Sequence, residues 1–239
     1  PRKLGGGAGL IAILIVLVWL ASGFYIVDEG RRGVVLRARA PEGLTLGPEV
    51  LRRLSESFVD TLAELHGVDY AAAGLGDLGR PEGYVRRQVE GWTRRYYDAW
   101  TEDVQEIETL ERWLAANLPA DSGAALIHND YKLDNVVLDP KDPTRIIGVL
   151  DWEMSTIGDP LMDLGTTLSY WVEAGDSPQM QVVRWGPTPL PGAMSRVELA
   201  TRYAEQSGRD VSGVLFYYCF GLFQTAVVAI LTPIYEAEF

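Results

Sequence analysis

Apolar residues recur at three- and four-residue steps through Leu51, Leu54, Phe58, Leu62 and Leu65. That stripe predicts an amphipathic helix starting at Pro48, a good first-turn residue, and stopping at Gly67. His66, at its end, has no partner at metal-ligand spacing and reads as a surface or helix-end histidine. A glycine-rich loop, 71–83, follows. A second helix runs from Tyr84 to about Tyr97 and carries Trp92 and Tyr96. A third runs from Val104 to Leu118, with Ile107, Leu110, Trp113 and Leu114 inward, and Pro119 closes it.

The pattern then changes period. Ala124–Ile127 is a short apolar run of strand character. Val136–Leu138 and Ile146–Leu150 read as two strands joined by Asp139-Pro140-Lys141-Asp142-Pro143, a sequence of turn formers. Pro160–Trp171 reads as a buried helix, in which Asp163 would be costly without bonds. Trp152 and Trp171 read as core, and Glu153 as a helper near a metal or a structural acceptor. Residues 175–192 form a loop with Pro187, Pro189 and Pro191. Ser195 followed by Glu198 is a capping-box pattern for a helix through Ser207, which Gly208 stops. Asp210 or Ser212 then caps a final apolar helix from about Gly213 to Ile234.

At the other end, Ala8–Val27 is an apolar run without charge, about the ~20 residues needed to span a bilayer. Trp19, Phe24 and Tyr25 lie where aromatic rings favour the interface. The run is long for a signal-peptide core, and Ala21-Ser22-Gly23 is a weak cleavage pattern. The expectation is a single-pass anchor, 8–27, in an inner or plasma membrane. Positive residues flank both ends, so the side of the soluble part is not fixed.

The chain has 239 residues, a formal charge of -12 and a pI near 4.6. Such an acidic balance argues against a nucleic-acid surface, which needs a basic face. Cys219 is the one cysteine, so no disulfide can form within the chain; within Phe-Tyr-Tyr-Cys-Phe it reads as a buried apolar thiol. Arg86, Arg87, Arg94 and Arg95 form either an anion-binding strip or a solvated face with snorkelling side chains.

The chemistry concentrates in Ile127–Asn135, Ile-His-Asn-Asp-Tyr-Lys-Leu-Asp-Asn, and in Asp151 after the second hairpin strand. Phosphoryl transfer to a hydroxyl needs a carboxylate to accept the proton, oxygen ligands for a metal bridging the phosphates, and a positive charge near the transferring group. Asp130 can be the proton acceptor. Asn135 and Asp151, at the two ends of one hairpin, can hold the metal, and such hard oxygen ligands suit Mg2+. Lys132 can supply the charge.

The spacing His-x-Asp-x-x-x-x-Asn matches the protein-kinase catalytic loop, although the second Asp here begins Asp-Trp-Glu. With Gly158-Asp159-Pro160-Leu161-Met162-Asp163-Leu164-Gly165 downstream, it resembles the aminoglycoside phosphotransferase and choline kinase family, and among these the kinase-like domain fused to some acyl-CoA dehydrogenases. The resemblance covers about 41–230. It implies that Asp130 is the catalytic base, that Asn135 and Asp151 bind Mg2+ with ATP or GTP, that His128 and Asp163 brace the loop, and that Asp159 orders the turn after Asp151. It also favours a core helix over a second membrane span at 213–234. Aminoglycosides, choline-like alcohols, sugars and hydroxyacyl thioesters all fit the implied hydroxyl acceptor.

Residues 1–37 resemble instead the start of HflK-type membrane proteins of the prohibitin group, through Gly5-Gly6-Gly7, the apolar span and 24–37. The expected organisation is therefore an N-terminal segment with its anchor, 1–40, and a kinase-like lobe, 41–239. The expected fold class is α+β, mostly α: a kinase-like C-terminal lobe with a short active-site β-hairpin, preceded by one transmembrane helix. About twenty residues between Val27 and Pro48 are too few for a multi-stranded nucleotide-binding lobe, so that lobe is expected to be missing and the phosphotransferase activity impaired. Two alternatives are a non-catalytic, membrane-tethered binding module and an HflK-like regulator of a membrane protease. The expected partners are a nucleotide, a small hydroxylated substrate and, through 8–27, the lipid bilayer.

Overall fold

The computed structural model describes residues 34–35, 46–98, 104–182 and 184–237. The described part is mostly helical with few strands. In chain order its elements are β1 (Val34–Val35), α1 (Pro48–His66), α2 (Tyr84–Asp98), α3 (Gln105–Ala116), β2 (Ala125–Ile127), β3 (Val136–Leu138), β4 (Ile146–Val149), β5 (Thr156–Gly158), α4 (Pro160–Tyr170), α5 (Pro178–Val182), α6 (Arg196–Ser207) and α7 (Val214–Ala237). Short 3-10 turns at Leu133–Asn135 and Trp152–Met154 flank the β3–β4 hairpin.

Two small antiparallel sheets carry the segments that flank residues 128–135 and Asp151. β3 and β4 pair in the register Val136↔Val149, and β1 adds to the free edge of β3. β2 pairs with β5, Ala125 facing Gly158 and Ile127 facing Thr156. Neither β5 nor the short α5 was expected from the pattern, because three- and five-residue elements carry too little periodicity to read.

The longer helices turn apolar residues inward. α1 buries Leu51, Leu54, Phe58 and Leu62, and α3 buries Ile107 and Leu114. Trp113 departs from expectation: it is 38 % exposed and rests its ring against Phe216. α6 begins with the capping box, Ser195 and Glu198 bonding each other's backbone amides, and ends at Gly208 in the left-handed conformation.

The fold class expected from the sequence is corrected at its N-terminal side. Among the described residues no helix is long and apolar enough to cross a membrane, so the single-pass anchor and the membrane location derived from it are withdrawn. The stretch 8–27 itself lies outside the described residues. Strand β1 is hydrogen-bonded into the hairpin sheet through Val34↔Leu138 and Val35↔Val137. It is thus part of the same sheet as the hairpin that carries Asn135. The long apolar helix α7 is a core helix: Phe216, Tyr217, Phe220, Phe223 and Val227 are all buried.

α7 lies against α4 at two glycines. A Cβ on Gly165 would collide with the backbone carbonyl of Tyr217, and one on Gly221 would sit 2.6 Å from the carbonyl oxygen of Gly165. Backbone cannot yield as a flexible side chain does. Gly165→Ala is expected to cost about 3 kcal/mol, at the upper end for overpacking. A guanidinium-chloride midpoint unchanged from wild type would refute this packing.

Candidate active site

The loop 128–135 enters from β2 and leaves into β3. Its geometry is set by Asp163, which lies on the first turn of α4 and is fully buried. Oδ2 of Asp163 accepts from the backbone N–H of His128 at 2.6 Å, and Oδ1 from that of Asn129 at 2.8 Å. These bonds hold the two residues before Asp130 in place.

His128 fixes the loop to the hairpin. Its Nδ1 accepts from the backbone N–H of Asp130 at 3.2 Å, so Nε2 is the protonated nitrogen, and it donates to the carbonyl of Leu150 at 2.8 Å. The N–H of Leu150 donates to the carbonyl of Asn135 at 2.8 Å. The residue before Asp151 is therefore held on one side by His128 and on the other by Asn135.

Asp130, Lys132 and Asn135 meet directly. Oδ2 of Asp130 accepts from Lys132 Nζ at 2.5 Å and from Asn135 Nδ2 at 2.9 Å, and Asn135 Nδ2 also donates to the Asp130 carbonyl. The Asp130 and Lys132 side chains keep partial solvent access. Asp151 is exposed and makes no side-chain hydrogen bond among the described residues. It adopts φ 67, and Asn129 φ 65; these are the two non-glycine residues with positive φ among those described. Backbone strain of this kind is held only where surrounding bonds over-determine it, and it clusters at functional sites.

Asp159 bonds both the backbone N–H and the hydroxyl of Ser122, and caps α4 at the N–H of Leu161. It thereby ties the entry to β2 to the start of the helix that carries Asp163.

Three residues acquire roles that sequence reasoning did not assign. His66 is 3 % exposed, not a surface residue. Its Nε2 reaches Asp163 Oδ2 at 3.1 Å and its Nδ1 the Tyr203 hydroxyl at 2.7 Å, so it backs the loop-bracing carboxylate. Tyr170 ends α4 two turns after Asp163, on the same face. Burial, the negative charge of Asp130 and a hydrogen bond to it push the Tyr170 phenol up. Its ring lies 5.2 Å from Lys132 Nζ and makes an edge contact with Trp185. The seven-residue spacing from Asp163 was the available signal. Trp152 is 39 % exposed and not core; its ring packs 5.0 Å from that of His128, and its Nε1 donates to the Val149 carbonyl. Trp171 is buried as expected, whereas Cys219 is only partly so.

The donor set accommodates a hard divalent cation. Both partners of Asn135 Nδ2 are acceptors, which fixes the amide orientation and leaves Oδ1 without a hydrogen bond among the described residues. With the unbonded Asp151 carboxylate, this makes two oxygens at one end of the hairpin. Mg2+ commonly takes one or two protein oxygens and completes its shell with water and phosphate. No group of three His, Cys, Asp or Glu residues suited to a metal occurs among the described residues, and a site of this kind needs none.

Comparison with known proteins agrees with this geometry. Acyl-CoA dehydrogenase family member 11 of Gallus gallus is 39 % identical over 155 residues, which cover 64 % of this chain and 19 % of that protein. The chain thus spans about a fifth of its length. A solved Ralstonia eutropha protein, provisionally described as an aminoglycoside phosphotransferase, is 29 % identical with a TM-score of 0.66, covering 80 % of this chain and 57 % of that one. Macrolide 2'-phosphotransferase type I, 17 % identical, covers 99 % of this chain and 77 % of its own at a TM-score of 0.58, a likeness of fold alone. The match to the phosphotransferase family runs over residues 14–196 and so begins inside the stretch read as a membrane anchor. The reading of residues 1–37 as an HflK-like segment is left without support, and nothing supports a bilayer or a membrane protease as partner. With its match covering well over half of the sequence, the chain belongs to the phosphotransferase enzyme family.

Proposed function

We propose that this chain transfers the γ-phosphate of ATP or GTP to the hydroxyl of a small molecule, with Asp130 accepting the hydroxyl proton. The observation that carries the reading is the convergence of Lys132 and Asn135 on one oxygen of Asp130, in a loop that Asp163 braces. Phosphoryl transfer asks mainly for positioning and charge stabilisation, which a braced loop can supply.

The roles divide by chemistry. Asn135 Nδ2 holds Oδ2 of Asp130 and so orients the carboxylate towards an incoming hydroxyl. Lys132 neutralises that carboxylate at rest, and its ammonium lies near enough to bear on a transferring phosphoryl group. The Tyr170 ring lies 5.2 Å from Lys132 Nζ and gives its ammonium an aromatic wall. Asn135 and Asp151 would hold Mg2+, which when bound neutralises the phosphate oxygens.

Titration of ATP into the chain, with and without Mg2+, tests the reading. Saturable binding is expected with Mg2+, weakened at least tenfold by Asp151→Asn. Absence of saturable binding, or an affinity indifferent to Asp151, would count against it and favour a non-catalytic binding module.

A further inference from the structure

A cavity of about 390 Å³ opens beside the catalytic loop, between α2, α4, α7 and the turn at Trp152–Met154. This is within the range of small-molecule sites. Its buried lining is mixed: Trp92, Met162 and Phe220 are apolar, Thr166 and Gln224 polar. It meets the loop at Asn129, the neighbour of Asp130. Asn129 is fixed there by the Tyr84 hydroxyl, which donates to its Oδ1 at 3.1 Å, and by its own Nδ2, which donates to the Met154 carbonyl at 2.8 Å.

The charged groups lining this cavity are Arg80, Arg87 and Arg95 against the single carboxylate of Glu153. None of the three guanidiniums pairs with a carboxylate among the described residues, whereas Arg52, Arg145, Arg196 and Arg202 each do. Arg87 donates instead to the backbone carbonyls of Glu82 and Arg80, which anchor it without cancelling its charge. Arg95 stacks 4.7 Å over the Trp92 ring, which holds it at the cavity wall. In a chain of formal charge -12, a cavity with excess positive charge is a local inversion of sign. A cleft lined by one sign over low-dielectric walls concentrates the opposite ion.

We propose that this cavity is the acceptor site and that it takes a hydroxylated substrate bearing an apolar segment and a phosphate group. The apolar part would lie on Trp92, Met162 and Phe220. The phosphate would be held at the mouth by Arg80, Arg87 and Arg95, whose planar forks match its oxygens. A polycationic aminoglycoside is the wrong charge for this opening. The inference rests on the phosphotransferase reading for its direction, since Asn129 connects the cavity to Asp130.

The test is calorimetric titration of inorganic phosphate and, separately, of kanamycin into the full chain at low salt, using wild type and Arg80→Gln/Arg95→Gln. Both residues are exposed, and neither accepts or donates a side-chain bond that the fold depends on, so the double variant is expected to fold. Phosphate binding is expected in wild type and at least tenfold weaker in the variant, with no saturable kanamycin signal. Affinity of the variant for ATP with Mg2+ is expected to stay within twofold of wild type. Absent phosphate binding in wild type, equal phosphate affinity in the two proteins, or saturable kanamycin binding would each overturn the proposal. Loss of ATP binding by wild type would instead sink the phosphotransferase reading while leaving the anion site standing.

Discussion

Asp130→Asn is expected to lower phosphoryl transfer about 10²–10⁴-fold, the usual contribution of a positioned general base. The substitution is nearly isosteric, so Asn135 Nδ2 can still donate to the remaining amide oxygen. What disappears is the negative charge that attracts Lys132 and accepts a proton from the substrate hydroxyl. Lys132, without its carboxylate partner, should then be freer to move about the Tyr170 ring. The expected signature is a fall in kcat with little change in the affinity for ATP with Mg2+, because the lost group acts on the acceptor and not on the nucleotide. Labelled γ-phosphate transfer by purified, folded variant measures it. Turnover within twofold of wild type would remove Asp130 from the role of base.

The parts of this site that could be read from the sequence are those that depend on near neighbours. His128, Asp130, Lys132 and Asn135 lie within eight consecutive residues, and their spacing alone places them on one loop. Asp151 follows because a hairpin returns its second strand to the start of its first, as Leu150 bonding back to Asn135 makes plain. His66 could not be read in the same way. Its partners are Asp163 and Tyr203, each about a hundred residues or more distant in the chain, and a histidine at a helix end carries no mark of which elements pack above it. Tyr170 was hidden for a similar reason: its distance from Asp130 is set by the packing of α4 under the loop. The apolar run at 8–27 misled because hydropathy records only that a segment avoids water. It does not say whether lipid or protein covers it, and the family match entering at residue 14 is information of another kind.

The bracing carboxylate has a larger expected effect on folding than any residue that touches substrate. Asp163→Ala is expected to cost roughly 3–5 kcal/mol, as breaking a fully buried charged network does. Four bonding groups depend on it or stand beside it: the backbone amides of His128 and Asn129, His66 Nε2 and, through His66, the Tyr203 hydroxyl. His66, His128 and Tyr203 are buried and cannot turn to water instead. The acid dependence follows from the same bonds. Burial alone would raise the Asp163 carboxyl, but the hydrogen bond and charge of His66 and the amide of His128 outweigh it and hold the group below its ordinary value. A carboxyl depressed in the folded state contributes stability that is fully present above its unfolded value, about 3.9, and is lost as pH falls through the lower folded value. Asp163→Asn keeps one acceptor oxygen and loses the charge. Its deficit relative to wild type should therefore hold steady from pH 7 to about pH 5 and shrink below about pH 4. Urea denaturation of both proteins at pH 7 and pH 3 checks this, and a deficit that is the same at both would mean that the charge on Asp163 contributes nothing to holding the loop.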